Sequence, residues 1–99
     1  MPETSTQITV TKTADGEFQV DVRDAEGETH HAVRADEAAI EKFGHGQPAE
    51  TVVETSFRFL LEREPKVSIL GNFELSIIGK FFPEYEAEME RRLGSEPAD

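Results

Sequence analysis

Two prolines, Pro65 and Pro83, bracket the most apolar stretch of the chain. Phe57, Phe59, Leu60 and Leu61 stand before the first, and Phe73, Leu75, Ile77, Ile78, Phe81 and Phe82 stand between the two. Each proline lacks an amide hydrogen and pushes the residue ahead of it out of helical geometry, so a helix ends there. The apolar residues are thereby divided among short helices that must fold back on one another. The chain has 99 residues, 36% of them hydrophobic, and reads as one domain, 1–99. A domain of this size buries less than about 70% of its unfolded surface. Some of the cluster must therefore be core, while a single edge of it is free to serve a partner.

The N-terminal third has a different period. Residues 8–13, Ile-Thr-Val-Thr-Lys-Thr, and 17–23, Glu-Phe-Gln-Val-Asp-Val-Arg, alternate apolar and polar, as half-buried strands do. A two-residue turn at Asp15-Gly16 would set Val10 opposite Asp21 and place the apolar residues on opposite faces. A three-residue loop, Ala14-Asp15-Gly16, sets Val10 opposite Val20 and Ile8 opposite Val22, with Gly16 left-handed next to a bulge. This second geometry is the expected one. A third strand is expected over about 28–34, after Ala25-Glu26-Gly27. A three-residue loop there turns His30 inward; a four-residue loop turns His31 and Val33 inward, which Val33 favours. The sequence leaves open which histidine faces the core.

Helical signals fill 36–93. Asp36 is a good N-cap for a helix closed by Gly44, and Pro48 suits the first position of a second helix running to about Arg63. Val52, Val53, Ser56, Phe57, Leu60 and Leu61 form its buried stripe. A short connection over 66–73, with room for one helical turn, leads to a helix over about 74–81. Pro83 opens a last helix with Tyr85, Met89 and Leu93 as its stripe and Gly94 as its stop. Residues 1–6 and 95–99 are expected to be flexible. The expected fold class is α+β: a three-stranded antiparallel meander (8–34) followed by three to four helices (36–93) packed on one face.

The formal charge is −11, from 21 acidic and 10 basic residues. Affinity for nucleic acid and for anionic membrane surfaces comes from Lys and Arg, so neither partner is expected. No run approaches the roughly 20 apolar residues of a membrane helix, and residues 1–7 are polar rather than leader-like. The chain has no cysteine, hence no disulfide, thiol nucleophile or thiolate metal site. A cytoplasmic protein is the expectation.

No chemistry-bearing motif stands out. His30 and His31 are neighbours on a strand and point to opposite faces. His45 lies in a glycine-flanked loop, and the histidine–cysteine spacings of zinc sites are missing. Glu84, Glu86, Glu88 and Glu90 fall into two i, i+4 pairs on separate helix faces, unlike a calcium loop. The serines lack a strand–turn–helix elbow, and Gly44-His45-Gly46 is too short for a phosphate loop. No catalytic, metal or cofactor-binding residue is assigned, no cofactor is expected, and the chain reads as non-enzymatic.

The aromatic segment carries the functional expectation. Phe73, Ile77 and Phe81 share one helical face, while Leu75, Ile78 and Phe82 fall largely elsewhere around the axis; a helix apolar on several sides is either buried all round or covered by a partner. Phe73, Ile77, Phe81 and Phe82, together with Tyr85 and Met89, are the expected surface of a small interaction or regulatory module, contacting a second copy or another protein. The competing expectation is a small-ligand or metal-binding protein with His45 and a strand histidine in one cleft.

The run Ser56-Phe57-Arg58-Phe59-Leu60-Leu61-Glu62-Arg63-Glu64-Pro65, with Ser68-Ile69-Leu70, Phe73, Leu75-Ser76 and Phe82-Pro83-Glu84-Tyr85-Glu86, resembles a family of small uncharacterised bacterial proteins. The resemblance covers about 50–90 and implies a bacterial stand-alone domain with no activity or catalytic residue to carry over. Glu74 stands where that pattern has Asp, a better helix cap.

Overall fold

In the computed structural model, which describes residues 6–94, the first strands are β1 (Gln7–Ala14) and β2 (Glu17–Asp24). Ile8 faces Val22 and Val10 faces Val20, the register that keeps both apolar sets on one side. The pairing shifts between Lys12 and Ala14, and Gly16 takes φ +75°, as the longer loop requires. The turn into β3 (Gly27–Arg34) is tighter than either expected loop, because Asp24 pairs with Gly27. Asp24 Oδ1 accepts the Glu26 amide at 2.9 Å and closes it. Two turn residues have the same parity as four, so His31 and Val33 face inward, opposite Val20 and Phe18. His30 points outward, opposite Asp21.

A further strand, β4 (Asn72–Glu74), lies parallel to β3 and completes the order β1-β2-β3-β4. It was not foreseen: three residues are too few for a period to register. Its Phe73 sits beside Val33 on the inner face, so the expectation that Phe73 shares a helix face with Ile77 and Phe81 is corrected. The segment expected as one helix over 74–81 is this strand end, a 3₁₀ turn at Leu75–Ile77, and α3, defined below. Glu74 caps that turn with no side-chain hydrogen bond.

Four α-helices are present among the described residues: α1 (Glu37–Gly44), α2 (Ala49–Leu61), α3 (Ile78–Phe81) and α4 (Tyr85–Met89). Asp36 caps α1 by accepting the Ala39 amide at 2.9 Å. The left-handed residue that ends α1 is His45, at φ 51°, while Gly44 is still helical. A Cβ on Gly44 would stand 2.5 Å from Val52 Cγ2, so glycine there lets α1 and α2 approach. Pro48 is the N-cap of α2 rather than its first residue. After α4 the chain widens into a π turn over Glu90–Gly94. The fold is thus α+β, with the helices on the inner face of the sheet; the strands' outer face is polar and largely exposed. Apart from Thr6, the expected flexible ends lie outside the described residues.

Helix α2 is buried on two sides. Toward the sheet, the Phe57 ring lies 5.2 Å from His31 and 5.9 Å from Phe73. On the reverse side Phe59 meets Tyr85 at 5.2 Å, and Phe43 of α1 meets the same tyrosine at 4.9 Å. Ser56 and Tyr85 are wholly buried, so their hydroxyls need partners. Ser56 donates to the Val52 carbonyl at 2.8 Å, leaving the Tyr85 hydroxyl to donate to Ser56 Oγ at 2.7 Å. Burial pushes the Tyr85 phenol well above its ordinary 10, against a smaller opposing pull from Ser56.

Tyr85→Phe keeps the ring but leaves Ser56 without its donor, and is expected to cost about 1 kcal/mol in urea unfolding. Tyr85→Ala removes the ring from between Phe43 and Phe59 and is expected to cost about 3–5 kcal/mol. An alanine variant within about 0.5 kcal/mol of wild type would mean that α4 is not part of the core.

Candidate functional site

The fold divides the six residues expected to form an interaction surface. Tyr85 and Met89 are fully buried and Phe73 nearly so, and these three belong to the core. An apolar i, i+4 pair reads the same whether its own chain or a partner covers it, which is why the pattern misassigned them. Phe81 is 61% exposed, and Ile77 and Phe82 are half-buried. Two exposed residues join them that the helical pattern did not single out, Leu70 at 48% and Val67 at 75%. The signal for both was apolar side chains within a stretch read as a connection.

Phe81, Phe82, Ile77 and Leu70 wall an apolar groove of about 380 Å³. Its floor is the buried set Leu60, Ile69, Phe73 and Ile78. Two prolines shape it. Helix α2 stops at Leu61, short of the expected Arg63, and Pro65 opens a 3₁₀ turn, Lys66–Ser68, that leads toward the sheet. Pro83 forces Phe82 into extended backbone, at φ −130° and ψ 92°, which ends α3. Phe82 stands edge-on to Phe59 at 5.8 Å, so it is anchored while its neighbour Phe81 projects outward.

Polar contacts hold both rims. On one side the buried His31 donates from Nδ1 to the Leu70 carbonyl at 2.8 Å, and its Nε2 accepts from Thr29 Oγ1 at 2.9 Å. Since a carbonyl only accepts, the first bond assigns the ring hydrogen to Nδ1. The Ala32 amide donates to the Gly71 carbonyl at 2.8 Å. The buried Lys66 ammonium donates to Asp24 Oδ1 at 2.9 Å and draws the Asp24 carboxyl below its ordinary range. On the other side the Arg63 guanidinium lies 3.8 Å over the Phe59 ring and donates to Glu84 at 2.9 Å, lowering the Glu84 pKa. Arg92 spans Glu62 at 2.7 Å and Glu88 at 3.2 Å, and its bond lowers the Glu62 pKa. Glu64 lines the groove and is in no ion pair among the described residues.

The histidines are dispersed. None of them lines the groove. His45 ends α1 with its ring against Gly94, His31 is buried under the sheet, and His30 is on the opposite face. His30 instead gathers with Asp21 and Glu28, whose donor atoms all lie within 4.8 Å of one another. That grouping depends on the tight β2–β3 turn, which brings Asp21 opposite His30. The histidine and Asp21 already hold each other at 2.7 Å, with the side-chain amide of Gln19 also donating to Asp21. Ser56, hydrogen-bonded to Tyr85 in the core, is out of reach of any substrate. No helix among the described residues is long and apolar enough to cross a membrane. Searches of protein families, curated proteins and solved structures find no match to this chain.

The Asp21 carboxylate raises the His30 pKa above its ordinary 6.5, and His30 lowers that of Asp21 below 3.8. The contribution of the pair is therefore complete between about pH 3.8 and 6.5, lost as pH rises through the raised histidine value, and lost as acid titrates Asp21 through its lowered one. An NMR titration is expected to find the His30 ring titrating above 6.5, and Asp21→Asn to return it toward that value. An unchanged titration in the variant would mean that the two groups do not pair in solution.

Proposed function

We propose that the chain is a small non-enzymatic protein-interaction module that receives an apolar segment of another chain in the groove walled by Leu70, Ile77, Phe81 and Phe82. The observation that carries this reading is Phe81, 61% exposed beside a groove whose floor is apolar. Burying a side chain such as Phe or Leu is worth about 1.5–3 kcal/mol, so exposed Phe81 and Leu70 together offer an appreciable return on contact. The surroundings support the same reading. His31 and Lys66 hold one rim and Arg63 the other, so the groove needs little ordering on binding, which lowers the cost of association. A bacterial, cytoplasmic setting goes with it, supported by the resemblance of residues 50–90 and the cysteine-free composition.

Phe81→Ser is expected to change unfolding stability by less than about 1 kcal/mol, since the side chain is mostly in water. Phe82→Ser, which strips Phe59 of its edge-on neighbour, is expected to cost about 2–4 kcal/mol. Tagged wild type and Phe81→Ser, captured side by side from bacterial lysate, are expected to differ: a partner held by the first is lost by the second. Recovery of the same proteins by both, with both folded by circular dichroism, would contradict the proposal.

A further inference from the structure

We infer that the occupant of the groove is a basic amphipathic helix of a different protein, with Glu64 receiving one of its Lys or Arg side chains, and not a second copy of this chain. This rests on the interaction reading above and adds the chemistry of the partner.

Every large side chain of the groove is apolar except Glu64, a half-buried carboxylate. The neighbouring charges are already engaged, Glu62 with Arg92 and Arg63 with Glu84. A partly buried carboxylate gains from a cation brought to it, and an occupant of the groove can bring one. The place strengthens the demand. Glu64 lies just past the C-terminal end of α2, where the last carbonyls of a 13-residue helix carry the negative end of its dipole. An acidic residue there gains nothing from the dipole, and an incoming cation is favoured by both.

A second copy supplies that cation poorly. The chain carries −11, and its lysines and arginines are largely paired with its own carboxylates, among them Lys42 with Glu86, Arg58 with Glu54 and Lys66 with Asp24. Among the described residues Arg23, Arg34 and Lys80 are exposed and in no ion pair, and none of the three lines the groove. Two acidic copies meeting at this face would bring like charges together.

The apolar surface does not stop at the cavity: Leu70, part of its wall, is 48% exposed, and Val67, outside the cavity, is 75% exposed. A small molecule filling the cavity would leave Val67 in water. The apolar face of a helix, with anchors at i, i+3 or i+4 and i+7, covers such a strip while its flanks present charge to the rim.

The test uses three synthetic peptides of about five helical turns. One has leucines at helical spacing and lysine flanks, one the same leucines with glutamate flanks, and one the lysine peptide's composition scrambled to remove the apolar face. Each is titrated by fluorescence anisotropy into wild type, Glu64→Gln and Phe81→Ser. The lysine peptide is expected to bind wild type at least roughly tenfold tighter than either other peptide. Phe81→Ser is expected to weaken it by a similar factor, and Glu64→Gln by roughly threefold to tenfold, with that difference shrinking as salt is raised. Equal binding of lysine and glutamate peptides, or no effect of Glu64→Gln, would overturn the basic partner while leaving the groove intact. Equal binding by wild type and Phe81→Ser would overturn the groove reading itself, as would equal binding of the scrambled peptide, since charge alone would then explain both. No binding of any peptide, with concentration-dependent dimerisation of wild type in sedimentation, would overturn the inference in favour of a second copy; no binding without dimerisation would overturn it as well.

Discussion

Burial of helix α2 from two sides is the constraint on which the rest of the molecule depends. Phe57 and Phe59 are two residues apart and therefore point to opposite sides of the helix, yet both are fully buried. A single sheet face can cover only one of them. The other demands a second layer, and the chain supplies it from its far end, where Tyr85 stands between Phe59 and Phe43 and hydrogen-bonds to Ser56. Once α4 is committed to that position, the residues between Pro65 and Pro83 must travel from the end of α2 out to the sheet edge and back. They do so as β4, a 3₁₀ turn and α3, elements too short to cover one another. The groove is the gap that remains.

The meander was legible in the sequence because strand parity tolerates little ambiguity. A one-residue slip would have moved Val10 and Ile8 to the solvent face, so the longer hairpin loop followed from side-chain chemistry alone. The sequence leaves open which histidine faces the core; the observed two-residue turn places the same face inward as the four-residue loop that Val33 favours, and so His31. Helices α1 and α2 were legible from Asp36, Pro48 and Pro65. The parallel strand β4 was not, because Asn-Phe-Glu has no period and its partner strand is some 40 residues away in sequence. Its parallel pairing also needed the whole helical crossover, which only the packed chain shows.

The site was half legible, and the division has one cause. Apolar spacing marks which residues leave water but not what covers them. Tyr85 and Met89 satisfy their stripe inside the chain, against Ser56, Phe43 and Phe59. Phe81 does not, because Pro83 diverts Phe82 toward Phe59 and leaves its predecessor on the outside. Glu64 gained meaning only from position: along the sequence it is one acid among many, and in space it is the carboxylate facing an apolar groove. The many ion pairs at the surface, by contrast, say little about function, since exposed pairs contribute little and are screened by salt.

The most direct measurement is hydroxyl-radical footprinting of the free protein, read residue by residue by mass spectrometry. The account requires Phe81, Leu70 and Val67 to be labelled while Tyr85 and Met89 are protected, against the high intrinsic reactivity of methionine toward oxidation. That outcome would establish α4 as core and the 67–82 segment as the open apolar surface of the folded chain. Rapid oxidation of Met89 in the folded protein, or protection of Phe81 in dilute monomer, would contradict it.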